Sequence, residues 1–175
     1  MSMKSFMKMG ALCVTLFVAS ESSAQQPNPL DTVPDKMPFD VAYGNPISLD
    51  VADVVLSAAI SEARKHNWKL NCAVVDSGAN LVSFKRMDGA QLASIDISMH
   101  KARTAVKFRR ETKAFENALQ LNGMNYVMTL DGVIASRGGI PLVTGDRIIG
   151  AIGCSGGTGS QDEVAAKVGA AVIPK

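Results

Sequence analysis

Two β-rich runs, residues 69–75 and 81–86, are separated by Asp76-Ser77-Gly78-Ala79-Asn80, and this arrangement constrains the chain more than any other local feature. Gly78 and Asn80 tolerate positive φ, so the five-residue link reverses the chain and the two runs pair as an antiparallel hairpin. The rest of the fold has to be built on that sheet nucleus. Upstream, Ser48 is suited to cap a helix that places Leu49, Ala52, Leu56, Ala59, Ile60 and Ala63 on one side. Asp50 and Asp53 near its start and Arg64, Lys65 and His66 near its end match the helix dipole. Downstream, a second helix is expected from about Ser94, burying Ile95, Met99, Ala102 and Val106, and a shorter one over 113–119. A strand is expected over 126–130, a turn at Asp131-Gly132, and another strand over 147–155. Ser160-Gln161-Asp162-Glu163 reads as a capping box opening a last helix that buries Val164, Val168 and Val172. Hairpin signals on both sides of a helical middle define an α+β domain with a mainly antiparallel sheet.

Charge and composition remove several classes. The 175 residues carry 18 Lys or Arg and 16 Asp or Glu, a formal net charge of +2, far too little for the basic footprint of a nucleic-acid partner. With 47% hydrophobic and 19% charged residues, the chain can build a packed core, and its length suits one domain.

The first residues read as an address. Lys4 and Lys8 precede an apolar run from Met9 to Ala19, and Ser22 and Ala24 then lead to Gln25, the three parts of a cleaved leader. Residues 1–24 are therefore expected to be a signal peptide, and the location periplasmic or secreted. A signal anchor is the alternative, but the run falls short of the roughly 20 residues that cross a bilayer, so no membrane span is expected after cleavage. Cys13 lies inside the apolar run without a lipid-attachment pattern. Cleavage would leave Cys72 and Cys154 in an oxidising compartment; their spacing does not decide whether they bond. Pro27, Pro29, Pro34, Pro38 and Pro46 exclude regular helix and central strand, so residues 25–46 read as a Pro-rich extended arm, either disordered or laid along a neighbouring subunit. The domain proper covers 47–175.

Most motifs that suggest chemistry fail on their context. Gly153-Cys154-Ser155-Gly156-Gly157 fits a nucleophile elbow, but no histidine follows the serine. Gly156-Gly157-Thr158-Gly159 lacks the third glycine of a dinucleotide fingerprint, too few residues follow it for a βαβ unit, and no lysine makes it a P-loop. Ahead of a capped helix the loop still offers backbone N–H groups to a carboxylate or propionate, unless its glycines serve only a tight turn. His66 and His100 are the only histidines, with no zinc or covalent-haem motif around them. Each reads as a solvated side chain or as an axial ligand to iron in non-covalent haem. Arg86 at a strand end, with Lys101 and Thr104 three residues apart on the second helix, either line a common pocket for carboxylates or engage in surface pairs such as Arg86–Asp88 and Lys101–Asp96.

Five segments lie in order and register: Ala73-Val74-Val75-Asp76-Ser77-Gly78, Phe84-Lys85-Arg86-Met87-Asp88, Lys101-Ala102-Arg103-Thr104-Ala105, Gly138-Gly139-Ile140-Pro141 and Gly150-Ala151-Ile152-Gly153-Cys154-Ser155-Gly156. Together they resemble the GlcG/HbpS haem-binding and haem-degrading family over about Ser48 to Ile173. The resemblance implies a profilin- or PAS-like domain, a five-stranded antiparallel sheet with flanking helices, assembling as a homo-oligomer. It implies haem, iron or a related tetrapyrrole as ligand, with slow haem degradation or service to a sensor or transporter partner as the accompanying role. Arg86, Lys101, Gly156, Gly157 and Gly159 would then lie near propionates, and Thr104, His100 or His66 nearest iron. Thr104 falls on the matching motif although hydroxyl oxygen is a poor match for haem iron. Cys154 adds a possible thiolate. The alternative is an oligomeric module that binds a small organic acid such as glycolate.

Overall fold

The computed structural model describes residues 31–37 and 39–174; the expected signal peptide and residues 25–30 of the arm lie outside them. Four α-helices and five strands follow in the order β1 (Ala42–Tyr43), α1 (Leu49–Lys65), β2 (Asn71–Asp76), β3 (Leu81–Arg86), α2 (Ala93–Lys107), α3 (Lys113–Gln120), β4 (Gly139–Thr144), β5 (Arg147–Ser155) and α4 (Gly159–Ala170). The expected hairpin forms, with Asn71 opposite Arg86 and Ala73 opposite Phe84. Its turn is held by Asp76, whose Oδ1 accepts from the backbone N–H of Gly78 at 2.8 Å and of Asn80 at 2.9 Å.

β5 organises the sheet. β4 pairs antiparallel along one edge of it, Gly139 opposite Gly153 through Thr144 opposite Arg147. β1 and β2 share the other edge: Ala42–Tyr43 lies against Arg147–Ile148, and Asn71–Asp76 against Ser155–Gly150. β1 runs parallel to β5, so the sheet is mixed and not purely antiparallel as expected. The last part of the segment read as an arm thus joins the chain's own sheet. The Tyr43 hydroxyl secures it, 3.0 Å from the carbonyl oxygens of Val106 and Lys107.

Helices cover both faces, which is why β2 is apolar almost without interruption. Cys72, Val74, Ile152 and Cys154 pack with α1 and α4, while Val75 and Ala151 pack with Ala102, Ala105 and Val106 of α2. α2 lies so close to β5 that a Cβ on Gly153 would collide with the Ser98 carbonyl oxygen. On the other face Gly169 of α4 meets the Val55 carbonyl oxygen and Ala59 of α1. Small residues permit these approaches, and in α4 they turn the helix away from the face the apolar pattern suggests: Ala165, Ala166 and Gly169 are buried while Val164 is 43% exposed. α1 buries Ala52, Leu56, Ala59, Ile60 and Ala63 as expected, with Val55 in addition and Leu49 exposed. α4 is capped by Thr158, with Gln161 completing the box, two residues ahead of the expected cap.

Two departures from the sequence reading have identifiable reasons. The segment expected as a strand over 126–130 is a 3-10 helix, Asn125–Thr129; its groups bond locally, Thr129 Oγ1 donating back to the Tyr126 carbonyl at 2.7 Å, which competes with sheet pairing. β4 has no strand signal because it contains Gly139 and Pro141, and Pro is tolerated there because β4 is an edge strand.

Cys72 and Cys154 stand directly opposite in the β2–β5 ladder, Cα atoms 4.2 Å apart, and form a disulfide. Both are fully buried, which removes Cys154 as a thiolate ligand. The bond spans 82 residues, worth about 4.5 kcal/mol in the chain-entropy account of disulfides. Replacing both cysteines by alanine is expected to lower stability by about 2–5 kcal/mol, read as a drop in the urea midpoint. Gly153→Ala should cost about 1–3 kcal/mol by overpacking in the same assay; a wild-type midpoint in either variant contradicts these contacts.

Candidate functional site

Three of the family-like segments, those of Lys101, Gly138 and Cys154–Gly156, meet at a buried ion pair. Lys101, on the inner face of α2, is the largest fully buried side chain among the described residues, and its Nζ lies 2.8 Å from Oδ2 of Asp162 in the first turn of α4. The two side chains are 1% and 3% exposed. Asp162 Oδ1 also accepts from the Gly157 N–H at 3.0 Å. Gly138 closes the arrangement at φ +115°, where a Cβ would meet the Asp162 side chain and the Cys154 carbonyl oxygen at 2.8 Å each. Burial pushes the Asp162 carboxyl up from its ordinary pKa, and the charge of Lys101 and the Gly157 N–H oppose that only in part.

This geometry reassigns several expected ligand groups. The Lys101 ammonium is neutralised from within by Asp162. Thr104 is fully buried; its hydroxyl donates to the Gly132 carbonyl at 2.9 Å and accepts from the Ile134 N–H at 3.1 Å, holding that turn against α2. An iron would have to displace these bonds. The glycine loop before α4 already has its anion: Gly157 donates to Asp162, and the Thr158 N–H to Gln161 Oε1 at 2.8 Å. A Cβ at Gly156 would strike the Lys69 carbonyl, and one at Gly159 would lie 2.9 Å from Arg137 Cγ. The glycines therefore serve packing. Asp162 and the buried Asn71 are the residues sequence reasoning missed. The available signals were an acid directly after a glycine loop and an amide opening an otherwise apolar strand. Asn71 Nδ2 donates to Ser94 Oγ at 2.7 Å, while its Oδ1 has no partner among the described residues.

The remaining candidates separate. Arg86 lines a hollow with Arg64 and Lys69, beside α1. His66 ends α1, stacked on Trp68 with ring centroids 4.4 Å apart and its Nε2 3.1 Å from Glu62 Oε1. His100 stands on the outer side of α2, where Asp96, Met99, Arg103, Lys107 and Gly132 complete a hollow of about 400 Å³. Arg86 and His100 line separate hollows, while Lys101 and Thr104 are buried beneath α2. Among the described residues, no three His, Cys, Asp or Glu side chains are grouped to hold a metal ion, and no helix is long and apolar enough to cross a membrane.

A mixed sheet with helices on both faces, joined at its centre by the Lys101–Asp162 pair with Gly138 and Gly157 beside it, defines the class. The family model described as "Haem degrading protein HbpS-like" matches residues 47–171, and the chain belongs to that family. It is 41% identical to protein GlcG of Escherichia coli K12 over 109 residues, 62% of this chain and 81% of that protein. A crystal structure of HbpS from Streptomyces reticuli, a double mutant, superposes with a TM-score of 0.70 at 27% identity, covering 84% of this chain and all of that one. A crystal structure of PduOC in complex with haem gives a TM-score of 0.66 at 26% identity, over 73% of this chain and 95% of that one.

Around the pair, Glu163 receives Lys113 at 3.2 Å and Lys167 at 2.6 Å, and Arg137 joins it to Glu116. Burial alone would raise the Glu163 pKa, but the hydrogen bonds from Lys167 and Lys113 hold it below the ordinary glutamate value. A folded pKa below the unfolded one stabilises the fold fully above the unfolded value and loses that contribution as pH falls through the folded one. Glu163→Gln should therefore unfold at lower urea than wild type at neutral pH, with the gap closing on acidification; a constant gap contradicts the assignment. Lys101→Met or Asp162→Asn alone leaves a buried group without its counter-charge and should cost about 3–5 kcal/mol. The double variant should lose less than the sum, measured in a double-mutant cycle of urea unfolding.

Proposed function

We propose that this protein is an exported haem-binding protein whose haem seat is the outer hollow of α2, and that it assembles with copies of itself. One observation carries the reading: His100 stands over that hollow with Arg103 and Lys107, one helical face presenting an imidazole and two cations. The donor set suits the group. Imidazole is a common axial ligand to haem iron, Arg and Lys complement propionates, and the Met99 thioether is a soft, adaptable neighbour for a macrocycle. His100 would hold the iron, and Arg103 and Lys107 the acidic edge. Bound haem would supply redox-active iron, and the chain would supply orientation and charge. Membership of the HbpS-like family and the likeness to the haem complex of PduOC support the choice of ligand. The buried disulfide and the leader-like first residues support export into an oxidising compartment. Exposed Leu121, Tyr126 and Met128 support assembly.

Titrating hemin into the purified protein is expected to shift the Soret band and saturate at one haem per chain. His100→Ala should displace the bound spectrum and weaken binding roughly tenfold or more, the equivalent of ~1.4 kcal/mol or above. Arg103→Gln with Lys107→Gln should weaken binding while keeping the bound band position. An unshifted Soret band in wild type, or an identical bound spectrum and affinity in His100→Ala, overturns the assignment.

A further inference from the structure

The opposite face of the sheet carries a second hollow, of about 490 Å³, between the end of α1 and the end of β3. Three separate stretches of chain aim cations into it: Arg64 from α1, Lys69 from the link to β2, and Lys85 and Arg86 from β3. Among the described residues none of the four makes an ion pair within 4.0 Å. The acids that could have served are committed elsewhere. Glu62 is taken by Lys65 at 2.8 Å and His66 at 3.1 Å, and Asp53 accepts from Ser83 at 2.6 Å. Lys85 donates one hydrogen bond to Ser57 Oγ at 2.7 Å, and an ammonium has two further N–H donors. Asp88 is the one carboxylate on the wall, so the lining stays strongly positive. Ile60 and Met87, both packed against the core, add apolar wall.

Like charges gathered in a concave site focus a field that favours a multiply charged anion. Two guanidinium forks match carboxylate geometry bidentately, and the lysines act as point charges beside them. The apolar wall favours a guest with a short hydrocarbon body over a fully hydrated ion. We propose that this hollow binds a small organic acid carrying at least two carboxylates. The site contains no residue of the haem seat, and its occupancy does not depend on haem.

The test is isothermal titration of the full chain at low salt with citrate, succinate, glycolate, acetate and inorganic phosphate. Citrate or succinate is expected to bind one per chain, roughly tenfold or more tighter than the monoacids and phosphate, and to weaken as salt is added. Arg86→Gln and Lys69→Gln should each weaken that binding roughly tenfold with the melting temperature and the hemin response unchanged. Arg147→Gln, an exposed cation outside the hollow, should leave it unaltered. No heat with either polyacid, phosphate binding as tightly as the polyacids, or equal weakening by Arg147→Gln would each overturn the proposal.

Discussion

The structure depends on one buried charge being answered by another. Lys101 belongs to the helix on one face of the sheet and Asp162 to a helix on the other, and their contact is almost wholly removed from water. An isolated buried ammonium is expensive, so α2 can pack on β5 only when α4 has delivered its first turn to the same place. Delivery requires the tight Gly156–Gly157 turn after β5, and it requires Gly138, where any side chain would occupy the space of the pair. Three of the five family-like segments, those of Lys101, Gly138 and Cys154–Gly156, thus meet in one local requirement.

That centre is also where a ligand reading of the sequence goes astray. A lysine, a threonine and a glycine loop before a helix look like groups waiting for an anion. Here the chain supplies the anion itself, because Asp162 takes both the ammonium and the loop N–H. The side chains of α2 that face outward carry less of the motif and more of the available chemistry. His100, Arg103 and Lys107 have no inward partner to satisfy, and the same rotation that sinks Lys101 and Thr104 exposes them.

The hairpin, the four helices and the last strand were legible because turn chemistry and apolar periodicity are local. β4 was not, since a glycine and a proline suppress its signal and only the free edge of β5 makes it a strand. Residues 125–129 failed in the opposite sense, with β-rich composition closed into local hydrogen bonds. The buried face of α4 was misread because that helix approaches through Ala and Gly, so the large side chains that dominate a periodicity count lie outside the contact. Which candidate side chains share a hollow is a long-range property of the sheet order, and no spacing along the chain encodes it.

The position of the Cys72–Cys154 bond orders the events of maturation. Once α1 and α4 cover the sheet, both sulfurs are out of reach of any thiol catalyst. Oxidation therefore has to act on a chain whose helices have not yet docked, with β2 and β5 already aligned. An exported polypeptide of this design would meet its oxidant while still open, and the finished molecule would then be indifferent to the redox state of its surroundings.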